Sequence, residues 1–533
     1  MGETQKHSEI ETDSVKYVSP LSKSTEDGKQ YISDLITLDD VDKWTSSTLI
    51  LINSSTGSGK SYFVINKLGS RAKERNEKIL FLTNRSILKN QIKNSIPYEL
   101  KHTIHVATYQ GMTESLLKRN MDLSGYTYIV SDECHYFFAD SGFNHETDTA
   151  LETILRLRDC FKIFLSATSC TFERFIITKS AELDYDKPII YKLKDKLNYD
   201  KLYHYKNNNT ILAYLRTIPK NEKAIMFCSS IEIAYHNYKL FADEASFICS
   251  SHTQSYLKKY SDLETKKEIE EHQKFSSRFL FTTKVLDNGV NIVDRDLKHI
   301  ITDINDFDTV EQCIGRKRFI DDKDKVNVYI QRLHKQGLNG FIYQLHNALK
   351  ELQDFRQMSL SDYTEKYGHI NKNGLIYVVY DNTANSGIRY KINEAKEYKI
   401  KADRDDYIEM KLMDSPIPNI DMIARRYKIS PFAFKNLEKE IDLLNFDKGL
   451  SQFLSVKLFN DDKKKFINFI QSTAVAMINK ERKVGLNTIN GYFKDIKYPY
   501  YIESKKERQR TSDKYNKNYW ILNKIPSDQL TEY

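Results

Sequence analysis

Residues 48–61 read TLILINSSTGSGKS. The part up to Asn53 is an apolar run typical of a buried strand, and the rest is rich in glycine and serine. Gly57 and Gly59 allow backbone angles that other residues resist, so amide groups can converge on phosphate oxygens. An amphipathic stretch follows at residues 62–68, and the N-terminus of a helix there favours anions. The order strand, glycine-rich loop, helix predicts an α/β fold with a phosphate-binding loop.

The side chains of this loop suit a nucleoside triphosphate with Mg²⁺. Lys60 can reach the β- and γ-phosphates, and the Ser61 hydroxyl can ligate Mg²⁺. The loop departs from the common pattern at Ser54, where glycine is usual. The predicted nucleotide-binding residues are Thr56, Gly57, Ser58, Gly59, Lys60 and Ser61.

A second chemical motif, Asp132-Glu133-Cys134-His135, follows the apolar run at residues 128–130. Carboxylates at the C-terminal end of a parallel strand lie where ligands bind in open α/β sheets. We predict that Asp132 holds Mg²⁺ and that Glu133 orients and deprotonates the attacking water. A zinc site at Cys134 and His135 is the competing interpretation, but no second ligand pair accompanies them.

The chain alternates apolar β-rich runs with helical stretches, which predicts parallel sheets covered on both faces. The first set of runs is at 48–53, 79–84, 104–108, 126–131, 162–166 and 189–193. After a polar stretch at 194–209, read as a linker, the second set is at 224–229, 246–249, 279–283, 299–304 and 326–331. Two successive α/β units are therefore expected.

Composition limits the class of protein. The 533 residues are 40% hydrophobic and 29% charged, with a net charge of +8, which excludes wholesale disorder and permits a polyanionic partner. No run of about 18 apolar residues occurs, so no signal peptide or membrane span is expected. No cysteine forms a Cys-x-x-Cys pair and none lies beyond Cys313, which predicts reduced thiols and a cytoplasmic location.

Together these motifs resemble a superfamily 2 helicase of the DExH type over roughly residues 45–335. Further stretches come in the order that the family has. They are Thr83-Asn84-Arg85 with Gln91, Thr108-Tyr109-Gln110-Gly111, Ser166-Ala167-Thr168, Phe227–Ser230, Thr282–Asn291 and Gln312–Arg318.

The last of these stretches departs from the family pattern. Most relatives place a second arginine three residues after the first, which here would be position 319, but the chain has Phe319 there and Arg318 before it. This short ending is similar to herpesvirus-type origin-binding helicases. It leaves the role of Arg318 open between the nucleotide cleft and the far side of a helix, whereas Arg316 keeps its place as the arginine finger.

The resemblance implies two tandem RecA-like domains with ATP and Mg²⁺ between them and nucleic acid across both. The implied catalytic residues are Lys60, Asp132, Glu133, Gln312 and Arg316, with Ser61 and Asp132 holding Mg²⁺. Gly289, Arg316 and Arg318 would complete the nucleotide site. His135, Ser166, Thr168 and Asp287 would couple hydrolysis to the strand grip. Asn84, Arg85, Thr108, Gln110 and Thr283 would contact nucleic acid.

The C-terminal third carries two weaker patterns. Residues 423–434 have a helix–turn–helix flavour, with two ordinary amphipathic helices as the alternative. Residues 466–524 read as helix, helix, strand, basic segment and strand, the layout of a winged helix, although a solvated loop explains the basic segment equally well. Basic residues interleaved with tyrosine suit phosphates and base stacking.

The predicted organisation is a flexible tail at 1–40, ATP-binding and second RecA-like domains at 41–198 and 199–340, and a mostly helical accessory region at 341–533. The expected function is an ATP-dependent helicase or translocase, with DNA favoured over RNA. It is expected to act in replication or repair of a phage or mobile element, with replication proteins as partners. An ATP-driven switch or origin-binding protein that does not unwind is the alternative.

Overall fold

The computed structural model describes residues 7–12, 15–20, 31–55, 57–142, 144–168, 170–193, 197–250, 255–284, 291–368, 370, 374–380, 387–473, 484–495 and 498–525. Predicted site residues Thr56, Asp287 and Gly289 lie outside these ranges. Contacts divide the chain into two compact units, residues 1–202 with 218–434 and residues 203–217 with 435–533. The predicted boundaries at 40, 198 and 340 stay predictions.

The first lobe is built on an eight-stranded sheet in the order β1-β2-β8-β3-β7-β6-β4-β5. Its strands are β1 (His7–Glu11), β2 (Lys16–Pro20), β3 (Thr48–Ser54), β4 (Ile79–Thr83), β5 (Ile104–Thr108), β6 (Tyr128–Ser131), β7 (Phe161–Ser166) and β8 (Asp186–Leu193). All pairs from β2 to β5 along this order are parallel. Every residue of β3, β4 and β6 is buried, as their continuous apolar sequences predict.

Helices cover both faces of this sheet. They are α1 (Ile32–Leu35), α2 (Leu38–Asp42), α3 (Lys60–Tyr62), α4 (Gly69–Glu74), α5 (Ser86–Ser95), α6 (Tyr109–Leu117), α7 (Tyr136–Ala139), α8 (Glu146–Arg156) and α9 (Cys170–Glu182). A π-helical segment, Phe63–Leu68, joins α3 to α4, and a 3₁₀ turn is formed by Tyr98–Leu100.

The N-terminal segment differs from the loose tail that its polar composition predicts. Strand β2 pairs in parallel with β8, and Val18 is buried in the first core. A strand of five residues needs only one or two apolar side chains on its inner face, so overall polarity conceals it. Helix α1 also lies within the predicted tail, and its Ile32 and Leu35 are buried.

The second lobe contains a seven-stranded sheet in the order β11-β12-β10-β13-β14-β9-β17. Its strands are β9 (Tyr199–Tyr205), β10 (Lys223–Phe227), β11 (Ala245–Ile248), β12 (Phe279–Thr282), β13 (Leu297–Thr302), β14 (Val326–Gln331) and β17 (Phe434–Asn436). Its helices are α11 (Ile231–Lys239), α12 (Leu263–His272) and α13 (Phe307–Ile314), with a 3₁₀ turn at Tyr256–Tyr260. The prediction of a linker at 194–209 is wrong, because β9 lies within it and residues Leu202 to Tyr205 of that strand are buried.

The helices and strands that follow β14, up to residue 434, belong to the first compact unit. They are α14 (Lys335–Gln357), α15 (Leu360–Tyr367), β15 (Ile376–Tyr380), β16 (Ile388–Ile392), α16 (Glu394–Leu412) and α17 (Pro418–Arg426). Met410, Ile420 and Ile423 belong to the core beneath the second sheet. Truncation near residue 345 would therefore strip that core of its apolar partners and unfold the second lobe, rather than leave a working fragment.

The helix–turn–helix interpretation of residues 423–434 is wrong. Helix α17 ends at Arg426, and a single 3₁₀ turn, Pro431–Ala433, leads directly into β17. Ile423 and Ala424 are core residues, so their spacing reflects packing rather than a DNA-reading helix. The chain thus folds as two tandem RecA-like α/β lobes followed by mostly helical elements.

The second compact unit has its own hydrophobic core. Its elements are α10 (Asn208–Leu215), α18 (Leu437–Ser451), α19 (Asn460–Thr473), α20 (Leu486–Asp495), β18 (Tyr500–Lys506) and β19 (Asn518–Lys524). Strands β18 and β19 form an antiparallel hairpin. The predicted order helix, helix, strand, strand is confirmed in the described residues.

The six cysteines, all of them among the described residues, form no disulfide. Within the described ranges, none of the helices has the length and apolar character needed to cross a membrane.

Candidate nucleotide site

The phosphate-binding loop follows β3 directly and is shaped by two glycines. Gly57 and Gly59 have φ angles of 84° and 83°, which lie in the left-handed region that favours glycine. The Lys60 ammonium is buried and donates to the carbonyl oxygens of Ser54 at 2.7 Å and Ser55 at 3.2 Å. Burial lowers the pKa of Lys60, and the nearby carboxylates Glu133 and Asp132 oppose that shift. The loop is therefore built around one enclosed cation.

The two carboxylates after β6 face that cation. Burial and the neighbouring Glu133 raise the pKa of Asp132 to about 7, against the attraction of Lys60. Burial favours the neutral form of Glu133 as well, but His135, Lys60 and Arg316 outweigh it and hold the Glu133 pKa below its usual value. Neighbouring acids with pKa values pushed in opposite directions are typical of acid–base sites. Glu133 is the ionised member and suits the role of general base.

Glu133 also has an unusual backbone. Its φ angle is 52°, in the left-handed region, where a residue with a Cβ is strained by about 1–3 kcal/mol. The neighbouring backbone is fixed, since the Asp132 amide donates to Leu82 at 2.8 Å and the Cys134 amide donates to Leu165 at 2.9 Å. The surrounding sheet thus holds the Glu133 carboxylate in a place that the local chain would not choose.

A relay of polar contacts leads from Glu133 to the second lobe. His135 Nδ1 lies 3.3 Å from Glu133 Oε2 and 3.1 Å from Ser166 Oγ. The Ser166 hydroxyl donates to the Thr168 carbonyl at 2.8 Å. The Gln312 amide Nε2 donates to Thr168 Oγ1 at 3.0 Å, and every member of the relay except Glu133 is fully buried. These contacts unite residues from three separate sequence motifs.

The two arginines after α13 lie on an extended segment rather than on a helix. The Ile292 amide donates to Arg316, and the Arg318 amide donates back to Ile292, as in a parallel bridge. Side chains alternate along extended backbone, so Arg316 and Arg318 share one side and Lys317 lies on the other. Lys317 is enclosed there by Asp324, 2.7 Å away.

This geometry answers the question left by the shifted arginine. Burial lowers the pKa of Arg318 to about 10, Arg316 adds to that effect, and Glu133 opposes it. Both arginines lower the pKa of Glu133, Arg318 also lowers that of Lys60, and Arg316 also lowers that of His135. Both arginines therefore face the cleft. The spacing of four residues between Gln312 and Arg316 would stack them on one face of a helix, but α13 ends at Ile314, so Arg316 lies beyond the helix.

The residues predicted to grip nucleic acid lie at the carboxyl ends of strands. Arg85 caps α5 after β4, and Thr108 caps α6 after β5, with its hydroxyl accepting from the Gly111 amide at 3.0 Å. Asn84 and Thr283 are partly buried, and Gln110 is exposed. The parallel strands bring these positions to the same edges as the nucleotide loop.

Sequence reasoning missed Asp140 and Lys284 at this edge. Burial raises the pKa of Asp140, and Lys284 and Arg85 oppose the shift, so cations from both lobes lie near one carboxylate. Lys284 could have been found, because it lies within the stretch Thr282–Asn291. Asp140 carried no signal in the sequence.

Tyr31 lies beside the phosphate-binding loop and is not among the site residues predicted from the sequence. The Tyr31 ring is 43% exposed and lies 3.6 Å from where a Cβ on Gly59 would stand. The Ile32 amide donates to the Ser58 carbonyl at 2.9 Å, which fixes this segment against the loop. Trp44 is a core residue whose indole donates to the Tyr191 hydroxyl at 3.0 Å. Cys134, the zinc candidate, also lies in a hydrophobic core.

Comparisons with solved structures give low similarity. Yeast (S. cerevisiae) Dbp5 bound to RNA and ADP BeF3 is 17% identical, covering 54% of this chain and 79% of that chain, with a TM-score of 0.38. DEAD-box helicase Mss116 bound to ssRNA and UDP-BeF is 15% identical, covering 72% and 80%, with a TM-score of 0.40. A DEAD box protein from Methanococcus jannaschii is 19% identical, covering 53% and 82%, with a TM-score of 0.30. No curated protein matches the chain.

Two family models match in sequence, one on each lobe. Residues 30–170 match the type III restriction enzyme, res subunit, and residues 206–318 match the helicase conserved C-terminal domain. The first match contains the loop with Lys60 and the carboxylates Asp132 and Glu133, and the second contains Gln312 and Arg316. The two matches lie in this order along the chain, one on each lobe, and over those residues they support the core of a superfamily 2 helicase.

Proposed function

We propose that this protein hydrolyses ATP and couples the hydrolysis to movement along nucleic acid, most simply along DNA. The observation that carries the proposal is the buried relay from Glu133 through Ser166 and Thr168 to Gln312. With Lys60, Arg316 and Arg318 near Glu133, the relay supports one enclosed site that would combine a general base with cations from both lobes. Such an arrangement matches the needs of phosphoryl transfer, which are positioning and charge neutralisation.

Each residue has a distinct task in this proposal. The amides around Gly57 and Gly59 and the ammonium of Lys60 bind the phosphates. Glu133 orients the attacking water and accepts its proton. Ser61 and Asp132 would hold Mg²⁺, which neutralises charge on the phosphates when bound, and their oxygen donors fit a hard cation. Arg316 would stabilise negative charge that develops in the transition state.

Coupling follows from the relay. A change at the γ-phosphate alters the charge around Glu133, and His135 and Ser166 carry that change to Thr168 and Gln312. Closing and opening of the lobes would then move Arg85 and Lys284 relative to each other at the strand edge. Contacts there to the phosphate backbone would grip nucleic acid without reading its sequence.

The second compact unit would add a DNA-binding module. Its order is α18, a short extended segment, α19, α20, β18 and β19, and Leu454 and Leu458 of the extended segment bridge to Leu522 and Trp520 of β19. Three helices, a third short strand and a hairpin are the parts of a winged helix, so the candidate begins at α18 rather than at residue 466. A winged helix favours duplex DNA as partner. A cytoplasmic role in replication or repair, alongside replication proteins, rests on the family resemblance and residue usage alone.

Exchange of Glu133 for glutamine should separate ATP binding from hydrolysis. We expect kcat to fall by about 10²-fold or more, on the scale of a lost general base, while ATP still binds. The closed state should then persist and hold nucleic acid more tightly. Steady-state hydrolysis and nucleic-acid binding in the presence of ATP are the two measurements, and normal turnover would remove Glu133 as the base.

Removal of charge from the hairpin should weaken nucleic-acid binding without touching hydrolysis. Four exposed cations, Lys506, Arg508, Arg510 and Lys517, lie at its end. With all four changed to glutamine, the plot of the logarithm of the nucleic-acid binding constant against the logarithm of the salt concentration should become less steep by up to about 3–4 units. The reason is that each phosphate contact releases about one counterion. Basal hydrolysis should stay the same.

A matched control has the same charge change elsewhere. The control changes four exposed lysines that precede strands: Lys73, Lys220, Lys274 and Lys325. They lie towards the amino ends of those strands, whereas the site lies at the carboxyl ends. Their replacement by glutamine should leave the salt slope unchanged. Equal slopes in the hairpin variant and the wild type would contradict a DNA-binding role for this unit.

The proposed function itself is tested by hydrolysis across partners. ATPase rates would be compared with single-stranded DNA, single-stranded RNA and the duplexes, beside strand displacement on tailed duplexes. Stimulation by DNA with displacement supports the helicase. Stimulation without displacement on any substrate would indicate the non-unwinding switch instead, and stronger stimulation by RNA would overturn the DNA assignment.

A further inference from the structure

A network of charged side chains, buried except for Arg174, which is 42% exposed, lies outside the nucleotide site. Arg426 of α17 contacts Asp308 of α13 at 2.7 Å and Asp406 of α16 at 3.6 Å. Asp406 also receives a two-pronged contact from Arg174 of α9, at 2.8 and 3.2 Å. The side chains of Arg426, Asp308 and Asp406 are 10%, 11% and 8% exposed. Two arginines and two carboxylates thus link elements from both lobes and the C-terminal helices.

The ends of this network lie next to the catalytic motifs. Helix α9, which carries Arg174, begins two residues after Thr168. Helix α13 carries both Asp308 and Gln312 and ends just before Arg316. The network therefore joins the same two elements that the bond between Thr168 and Gln312 joins.

Helix α16 is anchored in both lobes, which gives the network a rigid frame. Ala395 near its start belongs to the first core, and its backbone amide donates to Asp148 at 2.9 Å. Met410 near its end belongs to the second core. Between them, Lys399 pairs with Asp306, the residue that caps the N-terminus of α13. One helix thus holds α13 at its cap while packing against both sheets.

We propose that Arg426 and Asp406 are positioning residues for ATP hydrolysis, which set the placement of α13, and with it Gln312 and Arg316, relative to α9. The proposal rests on the proposed function, because it concerns that same reaction. The two residues contact no reacting group. They act through α13, from elements that follow the matched family core and belong to neither of its halves.

The charge of the network explains why it would define one geometry. A buried arginine needs its carboxylate partners at hydrogen-bond distance, since an uncompensated charge in the interior is costly. An apolar contact in the same place would tolerate sliding, whereas the 2.7 Å bond of Arg426 to Asp308 and the two-pronged contact of Arg174 with Asp406 tolerate little. Arg426 lowers the pKa of Asp308 although burial alone would raise it, so the carboxylate stays charged and the pair stays engaged.

The test is steady-state hydrolysis at saturating nucleic acid. Arg426→Ala should lower kcat by about 10–100-fold, as misplacement of catalytic groups does, with little change in KM for ATP. Arg426→Lys should recover part of the loss. Asp406→Asn, which keeps the shape of the side chain, should lower kcat in the same direction and decides the case if Arg426→Ala does not fold.

The control is a second ion pair on the same helix. Arg356 of α14 makes a two-pronged contact with Glu397 of α16, at 3.0 and 2.6 Å, rather than with a residue of α13. Arg356→Ala should leave kcat unchanged. Equal losses in Arg356→Ala and Arg426→Ala, or a rise in KM with kcat intact, would overturn the positioning role. A wild-type chain that hydrolyses no more ATP than Lys60→Ala would instead overturn the proposed function.

Discussion

Replacement of Lys60 by alanine is expected to abolish ATP hydrolysis. The ammonium is the enclosed cation of the phosphate loop, and in the structure it is held by the carbonyl oxygens of Ser54 and Ser55 while facing Asp132 and Glu133. ATP would exchange those carbonyl contacts for phosphate oxygens. Without the ammonium, the β- and γ-phosphates would lie beside two carboxylates with no protein cation from the loop to offset them. Both binding and chemistry should suffer.

The measurement is ATP hydrolysis together with binding of a fluorescent ATP analogue. Lys73 lies in the last turn at the other end of the same helical segment and is exposed, so Lys73→Ala is the matched control and should hydrolyse normally. Thermal unfolding of both variants shows whether the fold survives. Hydrolysis by Lys60→Ala at the wild-type rate would mean that the loop does not bind the phosphates.

The strands around the site were predictable because their sequences are unambiguous. β3, β4 and β6 are mainly apolar runs that end in Ser or Thr, and parallel sheets bury such runs on both faces. The loop with Lys60 and the pair Asp132 and Glu133 follow from their positions at strand ends. Motif order placed Ser166, Thr168 and Gln312, but the contacts between them depend on the packing of two lobes and are not local properties.

The errors share a physical cause, since each is a place where distant packing overrides local pattern. β9 is a strand because its tyrosines are buried by elements distant in sequence, although the flanking asparagines indicate a turn. β2 is a short strand near the edge of the first sheet, and it is held there by pairing with β8, which is distant in sequence. The residues Ile423 and Ala424 have helical spacing because they fill the second core. Glu133 has a left-handed backbone conformation, which residue propensities do not predict.

Arg316 and Arg318 should differ in the step that they affect. Arg316 is buried and acts electrostatically on Glu133 and His135, the groups beside the attacking water. Arg316→Ala should lower kcat by about 10³-fold or more, on the scale of a lost arginine finger, with a smaller effect on ATP binding. Arg318 donates to Asn291 Oδ1 at 2.7 Å, and it acts electrostatically on Lys60 of the phosphate loop as well as on Glu133. Arg318→Ala should cost about tenfold, through nucleotide affinity.

The double variant separates these roles, because neighbours on one extended segment need not act independently. If the arginines affect different steps, the losses in kcat/KM multiply. If both neutralise the same charge, the second loss is smaller than the first. Arg295→Ala is the control, since Arg295 is an exposed partner of Asp321 in the second lobe. A larger fall in kcat for Arg318→Ala than for Arg316→Ala would reverse the assignment. The shorter spacing of this motif would then have moved the finger by two residues along the extended chain, to the next side chain on the same side.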